Sequence, residues 1–75
     1  MKLDRITIEP AKMNGAPCIR GLRITVRRVL ELLATYGDRE EMRHDYPNLE
    51  DEDIRQALEY AAQNLPDRTF ALDEA

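Results

Sequence analysis

Few residues of this 75-residue chain carry side chains suited to covalent or acid–base chemistry, and none has the company that such chemistry needs. His44 is the sole histidine and Cys18 the sole cysteine. A zinc site draws its ligands from Cys, His and carboxylates at short, characteristic spacings, and nothing stands around His44 in that pattern. Its expected place is the exposed side of a short second helix. Cys18, between Pro17 and Ile19, has no base beside it and reads as half-buried packing rather than a nucleophile. Acids are plentiful but fall in solvated runs, and carboxylates without a pocket do no general acid–base work. Asn14-Gly15 signals a turn, not a phosphate-cradling loop. The chain is therefore expected not to be an enzyme, and to hold no cofactor and no metal.

What remains is the chemistry of contact. Arg20, Arg23, Arg27 and Arg28 crowd into one short stretch. Residues 1–28 hold seven basic and two acidic side chains, a net of +5, whereas residues 29–75 hold four basic and thirteen acidic ones, a net of −9. The overall −4 conceals this partition. A cationic end that meets an anion and an acidic end that meets a basic partner is one reading. The other is that the arginines pair with the acidic half of the same or a neighbouring chain, with Arg23 in particular serving the fold.

These residues have to be positioned by a very small domain, near the lower limit for a self-supporting core. Chains of this size often finish burying apolar surface against a copy or a partner. No secretory leader and no apolar run of about 20 residues suggests a membrane span. A single cysteine fits a reducing, cytoplasmic setting.

Arg5-Ile6-Thr7-Ile8 alternates polar and β-branched apolar residues, which predicts a short strand showing Ile6 and Ile8 to one face. Residues 12–17 read as a loop, since Asn-Gly tolerates positive φ and Pro17 disfavours helix in Ala16. Cys18 to Ile24 reads as a second extended element broken at Gly21, by a turn, a bulge or the close approach of another backbone. So little sheet is unstable alone. Ile6, Ile8, Ile19 and Ile24 are therefore expected to pair across a homodimer.

Three helices follow. Thr25 is the expected N-cap of the first, whose stripe is Val26, Val29, Leu30 and Leu33, flanked by Leu32 and Tyr36. Gly37 stands where a left-handed cap would end it. Asp38 and Glu41 form a capping-box pattern for a short second helix that offers Met42 and Tyr46 to the core. Acids 50–53 open the third helix, where negative charge suits the helix start. Its apolar face is expected to be Ile54, Ala57, Leu58, Ala61, Ala62 and Leu65, and Pro66 stops it. A short helix, a tight Tyr46-Pro47-Asn48-Leu49 connection and a longer helix make the outline of a helix-turn-helix. Residues 1–65 then form one domain with an N-terminal strand arm, and residues 66–75 a flexible tail.

Taken together, Arg5-Ile6, Pro10, Gly15-Ala16-Pro17-Cys18-Ile19-Arg20-Gly21, Arg23-Ile24, Gly37, Tyr46-Pro47-Asn48-Leu49, Asp53-Ile54, Ala57-Leu58 and Tyr60 resemble the bacterial family called domain of unknown function 433. The resemblance covers about residues 5–60. It implies a mainly α, homeodomain-like helix-turn-helix bundle that is dimeric. It also implies an antitoxin of a toxin–antitoxin pair, encoded beside a PIN-like nuclease toxin. Leu22 stands where the family usually has Thr, Asn14 replaces one of a Gly-Gly pair, and Glu50 replaces a Ser or Thr cap. The last change should weaken the third helix start by about 1 kcal/mol at most.

In the usual docking, the start of the third helix faces base edges and phosphates. Here that start is four acids in a row, which phosphates would repel. Arg55 and Gln56 are the only good base-edge readers on its polar face. The candidate DNA-contacting set is accordingly Arg20, Arg23, Arg27 and Arg28, with Arg55 and Gln56. In the tail, Leu65, Phe70 and Leu72 either pack back on the helices or anchor a partner. PIN-like nucleases resemble one another in clustering carboxylates around a divalent metal, and Arg68 is the candidate to compete with that metal. The expected function is a non-catalytic antitoxin that sequesters the nuclease and binds its own promoter. The rival is a protein-interaction or adaptor dimer with no nucleic-acid role.

Overall fold

The computed structural model describes residues 3–66. Two short strands, β1 (Ile6–Thr7) and β2 (Cys18–Ile19), precede three helices: α1 (Val26–Thr35), α2 (Arg39–Asp45) and α3 (Asp51–Asn64). A single 3-10 turn at Met13–Gly15 lies between the strands. Asn14 and Gly15 both take positive φ there, as an Asn-Gly pair allows. The molecule is mainly helical, with a two-stranded antiparallel sheet. No helix among the described residues is long and apolar enough to cross a membrane.

Within this chain β1 and β2 pair with each other, Ile6 opposite Ile19 and Thr7 opposite Cys18. Two residues per strand would not hold alone, but the pair is supported on both sides. Arg20 N–H donates to the Arg5 carbonyl at 2.8 Å, extending the ladder. Beyond β2 the chain reverses at once: Leu22 N–H donates to the Ile19 carbonyl, Ile19 N–H to the Ile24 carbonyl, and Thr25 bridges back to Cys18. The break at Gly21 is thus a turn. Arg20 and Gly21, at φ 34° and 76°, are its two central residues, and positive φ at both suits a tight hairpin between twisted strands. A Cβ on Gly21 would meet nothing within 4 Å, so no second backbone presses there.

The Thr25 hydroxyl caps α1 by accepting from Arg28 N–H at 3.0 Å, and Val26 N–H donates to the Pro17 carbonyl at 2.9 Å, tying the helix start to the loop before β2. The left-handed cap expected at Gly37 is absent, because Gly37 does not take positive φ. The chain leaves α1 one residue earlier, with Tyr36 in extended conformation. Tyr36 swings toward α2, meets the Tyr46 ring edge-on at 6.4 Å and donates its hydroxyl to Asp45 at 2.7 Å. Asp38 caps α2, but through Glu40 N–H, and Glu41 makes no return bond among the described residues.

Ile19, Val26, Val29, Leu32, Met42, Leu49, Ile54 and Ala57 form the core. Leu32 rather than Leu30 or Leu33 joins Val26 and Val29 on the buried line of α1, which packs mainly against α3 and also meets α2. On α3 the inward face is turned relative to the apolar pattern: Asp53, Ile54, Gln56 and Ala57 are buried, while Leu58 and Leu65 stand 43% and 67% exposed. Asp53 and Gln56 take their places on that inward face through a buried polar network at the helix start.

Candidate functional site

Asp53 has no exposed surface, and its carboxylate is the point where four segments meet. It sits at the third position of α3, from which an acidic side chain can reach back to the helix's own first free N–H groups. It accepts from Glu50 N–H at 2.9 Å. Arg20 grips it with both Nε and Nη2, at 2.9 and 2.8 Å, and Arg5 Nη1 adds a bond at 3.1 Å. The same Arg20 Nη2 donates to the Asn48 carbonyl at 2.8 Å, so the hairpin turn is bolted to the turn between α2 and α3. Arg5 also pairs with Glu50. Burial alone would push the Asp53 carboxyl up, but Arg20, the Glu50 amide and Arg5 together outweigh it and hold the group below its usual range. Glu50 and Asp53 thus form a reciprocal capping box at the start of α3, each side chain accepting from the other's backbone N–H.

Gln56, one turn on, closes a second part of the network. Its Oε1 accepts from Arg5 N–H at 2.8 Å, and its Nε2 donates to Asp4 at 2.9 Å and Glu52 at 2.8 Å. Every bonding direction that a buried amide needs is filled from inside the chain. Arg55 Nε donates to Glu52 at 2.9 Å, and that guanidinium, with the Gln56 amide, brings the Glu52 carboxyl down to about 2.

Of the residues picked out for anion contact, then, Arg20 and Gln56 are engaged in the interior network, and Arg55 is paired with Glu52 on the α3 surface. Arg27 and Arg28 both lie along α1 and share Glu31, at 3.2 and 3.3 Å, while remaining largely exposed. Arg23, in the hairpin turn, is exposed and makes no ion pair among the described residues. The cationic surface thus runs along the turn and α1, not along α3. Beyond Arg55, α3 offers solvent Asp51, Leu58 and Gln63, with Glu59 half-exposed. His44 is exposed near the end of α2, within 3.5 Å of Asp45.

The isoleucines assigned to pairing between copies have separate places. Ile19 is wholly buried in the chain's own core, Ile6 and Ile24 pack half-buried against it, and Ile8 is 56% exposed. Cys18 is buried, its thiol donating to the Ala16 carbonyl. Leu65 is exposed at the end of α3, and Arg68, Phe70 and Leu72 lie outside the described residues. No cluster of three or more metal-ligating side chains occurs among the described residues.

One concave feature is not explained by the network. An apolar groove of about 330 Å³ runs between the start of α1 and the end of α3. Pro17, Val26 and Leu30 form one wall and Tyr60, Ala61 and Leu65 the other, with Arg27 at the edge.

The Asp53 lock was hidden in the sequence within a run of acids. Its signal is position: an acid three residues after the helix cap, met in the fold by Arg5 from before β1 and Arg20 from after β2. The profile of one protein family, described as a protein of unknown function (DUF433), matches residues 6–61. No curated protein and no solved structure matches the chain.

Proposed function

This chain belongs to the DUF433 family, and from that premise we propose that it is a non-catalytic, antitoxin-like binding protein whose target is a PIN-like nuclease, with its own promoter DNA as a second ligand. The bundle would work as a homeodomain-like helix-turn-helix dimer. Exposed Ile8, at the free edge beside β1, is the residue best placed to meet a second copy.

What carries the reading is the surface left after internal pairing. The helix that a DNA-binding motif would present shows Asp51, Glu52 and Glu59 with an exposed Leu58 among them. Such a face suits a basic or mixed protein surface and repels phosphates. Exposed Leu58 and Leu65 supply the apolar anchors that a protein interface needs at its centre. DNA contact, in this reading, falls to Arg23, Arg27 and Arg28 on the turn and α1.

The test is co-expression with the neighbouring reading frames. A nuclease should co-purify with the chain and be inhibited by it. Deletion of residues 66–75 should relieve the inhibition; full inhibition by the shortened chain would remove the tail's role, and no co-purifying nuclease would remove the antitoxin reading. For DNA, replacing Arg27 and Arg28 with Ala should reduce the slope of log affinity against log salt by about 2 per chain, at roughly 0.9 for each phosphate no longer neutralised.

A second reading is a protein-interaction dimer with no nucleic-acid role. It is favoured by the number of cations already engaged inside the molecule: Arg5 and Arg20 on Asp53, Arg27 and Arg28 on Glu31, Arg55 on Glu52. Titration against duplex DNA at two salt concentrations distinguishes them, because this reading expects no salt-sensitive binding.

A further inference from the structure

We infer that the apolar groove between α1 and α3 is the contact surface of a two-fold homodimer, in which α1 of one copy lies antiparallel to α1 of the other and each copy covers its partner's groove. The inference rests on the homodimer of the preceding reading and names the surface through which it forms. Among the described residues nothing fills the groove, although Val26, Leu30, Ala61 and Leu65 line it. Contiguous apolar surface on a small domain marks a place of contact.

The groove is poorly furnished for a small ligand. Sites of that kind orient their guest with a few placed polar groups. Here the Thr25 hydroxyl accepts from Arg28 N–H at 3.0 Å, and the Asn64 amide donates to the Tyr60 carbonyl at 2.8 Å. Both side chains are thus turned onto their own helices.

Two observations select a second copy. The first is the rim. Arg27, 87% exposed, stands on the groove's edge, and Glu31 follows one turn along α1, 3.2 Å from it. A cation and an anion one turn apart on a single helix are complementary to the same helix laid antiparallel, Arg27 of each copy reaching Glu31 of the other. A two-fold interface demands that self-complementarity, because one patch serves both sides. A partner of single sign would match one of the two charges and oppose the other. The second observation is continuity with Ile8. Ile6 stands opposite Ile19 and Thr7 opposite Cys18, so the next step of that register sets Ile8 beside Pro17, which lines the groove. Alternation along a strand also puts Ile8 on the face of Ile6, which packs against the core. Ile8, 56% exposed, therefore prolongs the groove's apolar surface instead of forming a separate one.

Sedimentation equilibrium of the full-length chain tests this without any other protein. The mass of two chains is expected, dissociating by mass action over about a hundredfold range of concentration. Arg27→Glu and Glu31→Arg each set like charges opposite one another, so each alone should weaken the dimer by about tenfold. Mixed together, the two variants should pair with each other, because every rim contact is then between opposite charges; a charge pair confined to one chain predicts no such rescue. Leu30→Glu should leave monomers while the helical circular dichroism persists, and if that variant unfolds the exposed rim variants decide. Rim variants that dimerise as tightly as the native chain overturn the inference and leave the homodimer reading to another surface. Variants that stay monomeric when mixed overturn the antiparallel pairing. A native chain that is monomeric at every concentration overturns both ideas, and one that dimerises only after deletion of residues 67–75 overturns the inference for the intact chain.

Discussion

Asp53 is fully buried, and its carboxyl is held below the usual range by its partners, so removing it leaves two guanidinium groups without their shared carboxylate. Breaking a buried ion pair by removing one partner costs about 3–5 kcal/mol. Arg5 and Arg20 keep part of their surface in solvent, so Asp53→Ala should cost about 3 kcal/mol in urea denaturation; a loss below about 1 kcal/mol would mean the lock holds little. Because the folded state lowers the Asp53 pKa, the unfolded chain binds the proton more readily. Its contribution is therefore complete above the ordinary carboxylate value of about 3.9 and is lost as pH falls through the lower folded value. Asp53→Asn should flatten the acid side of the stability profile. Tyr36 behaves in the opposite sense. Its hydroxyl donates to Asp45, and this bond, with burial, pushes the phenol up to about 12. Stabilisation from it is whole below about pH 10 and disappears as pH rises through 12. Ultraviolet titration should show a late tyrosine transition that is missing in Tyr36→Phe. Neither pairing could be read from composition. Arg20 and Gln56 have the side chains of nucleic-acid readers, and only the fold shows that those donors are committed to Asp53, Asp4 and Glu52.

Element boundaries were legible where a local rule governs them. Thr25 starts α1, Asp38 starts α2, Pro66 follows the end of α3, and the order of two extended segments and three helices stands. They were illegible where a distant contact decides. Tyr36 leaves the helix for Asp45 and Tyr46, which takes the turn away from Gly37. The apolar periodicity of α3 makes Leu58 and Leu65 inward, yet the buried face is shared by Asp53, Ile54, Gln56 and Ala57, Leu58 is exposed, and Leu65 stands exposed just past the helix end. Two glycines make the difference testable. Gly21 sits at φ 76° with open space around it, so Gly21→Ala meets only the backbone strain, about 1 kcal/mol of destabilisation. Gly37 lies outside the left-handed region, also with open space, so Gly37→Ala should be neutral or stabilising by up to about 1 kcal/mol. Thermal melts of the two variants should move in different directions; equal losses would restore a left-handed cap at Gly37.

For the molecule as a whole, the opposed charges of the two halves are partly consumed in holding those halves together. Arg5 and Arg20 from the cationic part close on Asp53 from the acidic part, across 48 and 33 residues of sequence. Raising salt should thus weaken exposed pairs such as Arg27–Glu31 while leaving the Asp53 clasp nearly intact, since screening acts mainly on solvated charges. Unfolding midpoints in low and high salt should differ little for the native chain. A large drop would place the clasp in solvent. The clasp also sets an order of events during synthesis. Both arginines leave the ribosome long before the aspartate that receives them, and contacts so far apart in sequence form late. Arg5 and Arg20 must therefore wait for their carboxylate until the chain has been translated as far as α3, and the clasp closes only when that helix arrives.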